Sequence, residues 1–274
     1  MPDYRELLRV LQNKEPGRAV MFEYCFSRSI AEQLIWRRSE RLWNTEPERV
    51  RTIADTAVNA GLDTAVIEFE EHEGSLPGLK YLCGSLAPGL KICGGLQKGL
   101  AERYVEGEPL ELEQEKLEGF YRSMAASPEI CALIIRDSFD EVQGDISKFL
   151  KAYKTFCHIA HELGKPCIWA DFGNHPLSVE LLKDIGFQGI HFTQAYRFPM
   201  KEFLKKYGDR YAILGDTRFS EICRAKPNDI IAYCTELYCL TQGKGYAYGT
   251  ANIRGDEIPY LAYLSILSAI KRLK

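Results

Sequence analysis

Five short apolar runs in this sequence each end in an acidic residue: Ala19–Glu23, Thr64–Glu68, Cys131–Asp137, Pro166–Asp171 and Tyr211–Asp216. A buried parallel strand reads as a near-continuous apolar run, so a carboxylate at its C-terminal end needs a reason. In a (β/α)8 barrel the strand ends form the rim on which the active site is built. Glu23, Glu68, Asp137, Asp171 and Asp216 would then converge on one mouth, where they could not all ionise cheaply. At least one would have a raised pKa or recruit a cation or basic group. Such a constellation suits acid/base catalysis, or a hard-metal site for Mg²⁺, Mn²⁺ or Ca²⁺. The competing reading is that some of them are helix N-caps in βα loops.

Around these runs lie side chains that would complete a site. Asp171-Phe-Gly-Asn-His175-Pro is a loop in which His175 could act as a general base or a metal ligand, or be an ordinary exposed loop histidine. Gly173 could present backbone amides to a ligand. Arg136, Arg218 and Arg254 could clamp a carboxylate or phosphate. Arg218, two residues beyond Asp216, is the best placed of them, and an ion pair with a neighbouring carboxylate is the alternative. Thr250 and Asn252 could hydrogen-bond a bound molecule or serve plain turn chemistry. The expected catalytic set is therefore Glu68, Asp137, Asp171, Asp216 and His175, with Glu23, Gly173, Arg218, Thr250 and Asn252 binding substrate. His175, Cys25 and Cys93 are the candidate metal ligands, although free cysteines are more often simply buried. His158, His161 and His191 read as structural, and the run Glu106–Glu118 as a solvated face.

The elements that would position these residues alternate along the chain. Strands are expected at about Ala19–Tyr24, Thr64–Phe69, Leu90–Gly94, Cys131–Ser138, Cys167–Asp171, Gly189–Thr193, Ala212–Asp216 and Tyr246–Thr250. Helices are expected at Met1–Lys14, from Thr45 to Ala60, and at Glu111–Ala126, Asp145–Leu163, Leu177–Ile185, Pro199–Tyr207, Asn228–Thr241 and Pro259–Leu273. Thr45-Glu-Pro-Glu48 combines capping-box spacing with a proline in the first turn, and Gly164-Lys-Pro166 closes its helix. The segment Glu70–Gly89 reads as loop. Short connections and strict alternation predict one parallel sheet, and the unit count predicts a single α/β domain over residues 1–274, a (β/α)8 TIM barrel; a doubly wound open sheet is the alternative. With 46% hydrophobic residues the chain can fill such a core.

Bulk properties narrow the partners. A net charge of −3 and no basic stripe argue against nucleic acid. No apolar run approaches a membrane span. The nine cysteines are scattered singly, and Met1-Pro-Asp-Tyr-Arg-Glu-Leu-Leu has no apolar signal-peptide core. Reduced thiols and a cytoplasmic location are the expectation.

Three stretches together carry a family resemblance: Arg5–Arg18 with its Glu15-Pro-Gly-Arg18 turn, Asp145–Gly173 with His161-Glu-Leu-Gly-Lys-Pro, and Gly245-Tyr-Ala-Tyr-Gly-Thr-Ala-Asn252 before a closing helix. In their order and spacing the chain resembles the uroporphyrinogen decarboxylase superfamily. That group includes the decarboxylase and zinc-dependent methyltransferases that move methyl groups between corrinoid proteins and thiols. The resemblance implies a (β/α)8 barrel and a methyltransferase-like enzyme acting at the barrel mouth. Its substrate would be a small molecule, with a corrinoid protein and a second copy of the chain as candidate partners. Corrinoid would enter only through that partner, and a metal ion is the one other cofactor implied. The alternatives are tetrapyrrole decarboxylation and a non-catalytic binding barrel. The methyltransferase zinc pair falls on Ala170-Asp171-Phe172 and the third ligand on Thr250 or Ala251, so the usual donors are absent. The decarboxylase's arginine-rich motif has no match, and its rim aspartate corresponds to Glu68 or Glu70.

Overall fold

A computed structural model describes residues 1–36, 43–72, 75–82, 86–171, 179–192, 200–216, 226–250 and 258–273. Strands β1 (Thr64–Phe69), β2 (Lys91–Leu96), β3 (Ile130–Asp137), β4 (Cys167–Asp171), β5 (Gly189–Phe192), β6 (Ala212–Asp216) and β7 (Tyr246–Thr250) form one seven-stranded sheet in sequential order. Every pairing is parallel. Helices α1 (Tyr4–Leu11), α2 (Arg28–Leu34), α3 (Glu46–Ala60), α4 (Pro77–Lys80), α5 (Leu100–Val105), α6 (Leu110–Ala126), α7 (Ser147–Glu162), α8 (Met200–Tyr207), α9 (Pro227–Thr241) and α10 (Tyr260–Lys271) supply the rest. Among the described residues no helix is long and apolar enough to cross a membrane.

Two cores hold the sheet. The outer one packs the helices against one strand face, with Ile67, Ile135, Trp169 and Ile213 among its members. The inner one joins Val66 of β1 and Ala247 of β7, at opposite sheet edges, with Val20, Phe22 and Tyr24 and with Leu7, Val10 and Leu11 of α1. Residues from both edges sharing one interior means that the sheet curls around it. Helix α1 plugs the end where the strands begin. The Asp3 amide donates to Asp63 at 2.8 Å, the Tyr4 amide to the Gly89 carbonyl at 3.1 Å, and Asn13 to the Asp209 carbonyl at 3.1 Å. Arg18, from the Glu15–Arg18 turn, pairs with the buried Asp63. In barrels this end serves stability.

The expected first strand behaves differently. Residues 19–24 meet β7 through a single parallel bridge, Met21 to Tyr248, made by Phe22 N to Tyr248 O at 2.7 Å and Tyr248 N to Val20 O at 2.8 Å. The next bond of a regular parallel ladder would run from the Thr250 amide to the Phe22 carbonyl. That amide instead donates to the Glu23 carboxylate at 3.1 Å, so a side chain replaces the ladder and strand pairing stops. No ladder joins this segment to β1 among the described residues, and an eight-stranded sheet does not form there.

Three further expectations change. Val179–Leu182 is a single 3₁₀ turn in place of the C-terminal part of the helix expected at Leu177–Ile185. Helix α4 interrupts the stretch read as loop, and α2 and α5 lie where no helix is expected. Each of these helices is short, and α2 and α5 bury apolar side chains in the tertiary core, so local periodicity was too brief to announce them.

Gly249 is where β7 and the 19–24 segment approach most closely, and a Cβ there would stand 1.7 Å from the Phe22 carbonyl oxygen. Gly249→Ala must push these two backbones apart. We expect a loss of roughly 1–3 kcal/mol in urea unfolding.

Candidate functional site

The seam between residues 19–24 and β1 opens at the strand ends into a cavity of about 370 Å³. Glu23, Tyr24 and Cys25 line one side, Val66 and Glu68 of β1 the other, with Arg49 of α3 and Arg136 of β3 completing the polar wall. Strand alternation decides which rim residues reach it. On β1, Val66 faces the inner core whereas Ile67 and Phe69 face the helices, which sends Glu68 inward. On β3, Ala132 and Ile134 face inward, and Arg136 continues that row.

Glu68 and Arg136 meet across the interior. The Tyr24 hydroxyl donates to Glu68 Oε1 at 2.6 Å and Arg136 Nη1 donates to the same oxygen at 3.3 Å. Arg136 Nη2 donates to Glu102 Oε1 at 2.7 Å. Burial alone would lower the Arg136 pKa, but Glu68 and Glu102 outweigh it and hold the guanidinium above its ordinary value. This arginine is therefore a fixed cation in the cavity wall. Tyr24, buried and beside Glu68, has its pKa pushed far up and remains a hydrogen donor.

Glu23 closes the seam from the other side. It is only 2% exposed. Both its oxygens accept from the Thr250 amide at 3.1 Å, and Oε2 also accepts from the Thr250 hydroxyl at 2.7 Å. Burial pushes its pKa up to about 8, against the opposite pull of those Thr250 donors. A carboxyl that exchanges its proton near neutrality, at a cavity wall, is equipped for acid/base work.

The other rim carboxylates go elsewhere. Asp137 follows Arg136 on the opposite, helix-facing row, where it accepts from the amides of Ala101 at 2.8 Å, Glu102 at 3.1 Å and Ser138 at 2.9 Å. It also accepts from the Tyr153 hydroxyl. The carboxylate thus caps α5, the helix of the preceding βα unit, with burial pushing its pKa up to about 6 despite these donors. Asp171 is in register with Asp137 and falls on the row of Cys167 and Trp169, which belong to the outer core. The expected convergence of all five carboxylates fails at these two positions, because a period of two sends neighbouring residues to opposite faces. Asp216 ends β6 in register with Thr250, and its side chain lies outside the described residues. His175, Gly173, Arg218, Asn252 and Arg254 lie outside them as well.

Cys25 is half-buried on the cavity wall. Cys93 is wholly buried in the inner core, and its contact with Cys131, together with burial, drives its pKa far up. It is an inert thiol there. Among the described residues no group of three or more His, Cys, Asp or Glu side chains is placed to hold a metal ion. The run Glu106–Glu118 is not uniformly solvated: Glu113 is buried and pairs with buried Arg103 at 2.8 Å, within a network that includes Glu71 and Lys116. His158 pairs with Glu162 at 3.3 Å, and His161 contacts Gln188 at 3.1 Å. Tyr24 and Arg49, missed in the sequence, show no signal beyond adjacency to Glu23 and to the Thr45 helix start.

Two outcomes test this picture. Asp137→Ala leaves two α5 amides and the Tyr153 hydroxyl without their acceptor, and should cost roughly 2–4 kcal/mol in urea unfolding. Glu23 has a folded pKa raised above its unfolded value, so its contribution is complete at low pH and is lost as pH rises from about 4.5 to about 8. Glu23→Gln, measured against wild type by unfolding from pH 4 to 9, should gain relative stability across that window, at up to about 1.4 kcal/mol per pH unit.

No family model matches the chain, and no curated protein matches it. Among solved structures the fold is similar to that of a methyltransferase from Methanosarcina mazei, with a TM-score of 0.67 over 97% of each chain at 13% sequence identity. At that identity the likeness is one of fold. It agrees with the parallel α/β architecture and does not single out the uroporphyrinogen decarboxylase superfamily.

Proposed function

We propose that this chain is a methyltransferase-like enzyme. Residues 19–24 stand in the eighth strand position of a (β/α)8-type barrel, and a small methyl acceptor occupies the seam cavity. The observation that carries the reading is Glu23, a buried carboxyl with its pKa pushed up to about 8, at the wall of that cavity. Methyl transfer to a thiol or similar group breaks an X–H bond and forms X–CH₃, while the donor's leaving group keeps the electron pair of its bond to carbon. The released proton needs a base, and the ionised fraction of Glu23 is positioned to take it. Glu68, held by Tyr24 and Arg136, offers a fixed polar contact for orienting the acceptor. A corrinoid protein docked over the rim is the methyl donor that the sequence resemblance points to.

The zinc site of the resembled methyltransferases does not fit this chain. Ala170 carries no donor atom and sits in the inner core, while the Thr250 hydroxyl is committed to Glu23. Tetrapyrrole decarboxylation ranks lower, since a carboxylate-laden substrate would meet Glu23 and Glu68 beside two arginines that already have carboxylate partners, Arg136 with Glu68 and Glu102 and Arg49 with Glu46 and Glu70.

The test is turnover of methylcorrinoid with a panel of thiols, alcohols and amines. We expect a methylated product, a rate that rises with pH toward about 8 as Glu23 ionises, and a loss of at least ~10-fold in Glu23→Gln. Absence of product with every acceptor overturns the reading. Consumption of uroporphyrinogen alongside an active control would assign decarboxylation in its place.

A further inference from the structure

His191 is a wholly buried histidine on β5 that the acid/base reading leaves unused. Its register partners, Ala170 on β4 and Leu214 on β6, both belong to the inner core. One face of the imidazole stacks on the Tyr24 ring, with centroids 5.0 Å apart and planes 14° from parallel, and Phe22 lies against it at 5.8 Å. Gly215, at φ +76°, leaves room for the ring, since a Cβ there would stand 3.2 Å from it. Tyr24 itself lines the seam cavity and donates to Glu68. The imidazole is thus one ring behind the cavity wall.

The tautomer follows from the polar contact its ring makes among the described residues. Nδ1 lies 2.8 Å from the Leu214 carbonyl oxygen, which can only accept, so Nδ1 carries the hydrogen and Nε2 of the neutral ring offers a lone pair. Burial keeps the ring neutral, lowering its pKa to about 4. Among the described residues, Nε2 is buried without a hydrogen-bond partner. A buried acceptor left unpaired is costly, and one that persists calls for an explanation.

We infer that His191 Nε2 is a substrate-binding acceptor: it receives a hydrogen bond from a neutral hydroxyl or amide N–H at the inner end of a small substrate entering past Tyr24. The outer end of that substrate bears the methyl-accepting group, next to Glu23. A neutral donor is expected because the register partners of His191, Ala170 and Leu214, are apolar and Phe22 lies against its ring, so that a charged group would be desolvated beside them. The identity of the reacting end rests on the proposed methyl transfer; the hydrogen bond to Nε2 does not.

The experiment uses the full chain, without methyl donor, and three thiols: 2-mercaptoethanol, its O-methyl ether 2-methoxyethanethiol, and 2-aminoethanethiol. The ¹⁵N signal of His191 Nε2 is followed by NMR while binding is titrated. We expect 2-mercaptoethanol to shift Nε2 and to bind at least ~10-fold more tightly than the other two, the discrimination expected when a buried polar group is left unpaired. His191→Phe, which keeps the stack on Tyr24, should bind the hydroxyl compound and its ether equally. Equal affinities in the wild-type protein, or an Nε2 signal that no thiol moves because an ordered water is its standing partner, would overturn the inference. Binding is read without turnover, so absence of methyl transfer refutes the functional reading alone. Methyl transfer that ignores the hydroxyl refutes this inference alone.

Discussion

The site depends on how the segment 19–24 is held against β7. One backbone bridge joins them, and the following ladder bond is replaced by the Glu23 carboxylate gripping the Thr250 amide and hydroxyl. Gly249 permits that approach, because its missing Cβ would occupy the place of the Phe22 carbonyl. The same carboxylate therefore ends the pairing, closes one side of the cavity and, through its burial, acquires a pKa near neutrality. Structural and chemical roles are not separable here: the desolvation that costs stability as pH rises is what would make the group a useful base.

A second constraint is the strict alternation of β3. Arg136 and Asp137 are neighbours in sequence, and both bind Glu102, from opposite sides of the strand. Asp137 accepts from the Glu102 amide while Arg136 donates to its carboxylate. Glu102 also accepts from the Gly99 amide at 2.8 Å, so the start of α5 is fixed at several points. The fixed helix start in turn holds Arg136 toward Glu68 and the cavity. An arginine between two carboxylates has little freedom to move, and this rigidity gives the cavity wall a permanent positive centre.

The strands and long helices were legible because their patterns are long and locally complete. Thr64–Phe69, Cys167–Asp171, Ala212–Asp216 and Tyr246–Thr250 form over the expected residues, and Thr45 caps α3 by accepting from the Glu48 amide at 3.4 Å. Ala19–Glu23 reads as a strand by the same apolar criterion, yet strand pairing needs a partner on an edge, and the partner's amide is taken by a side chain. Glu113 was read as solvated from the charge density of its run, although Arg103, ten positions earlier and outside that helix, is what allows it to be buried.

The sequence by itself determined the order of elements, their parallel arrangement and the placement of acidic residues at strand ends, because apolar runs, caps and turn residues act over a few neighbours. Tertiary structure alone decided which of those acids share a cavity. Glu23 and Glu68 face the seam, whereas Asp137 caps a helix and Asp171 joins the outer row. It also decided the state of each group: the raised pKa of Glu23, the lowered one of His191 and the buried acceptor at its Nε2 arise from burial and from partners more than twenty residues away. Burial and charge pairing are set by distance in space, which only the folded chain defines.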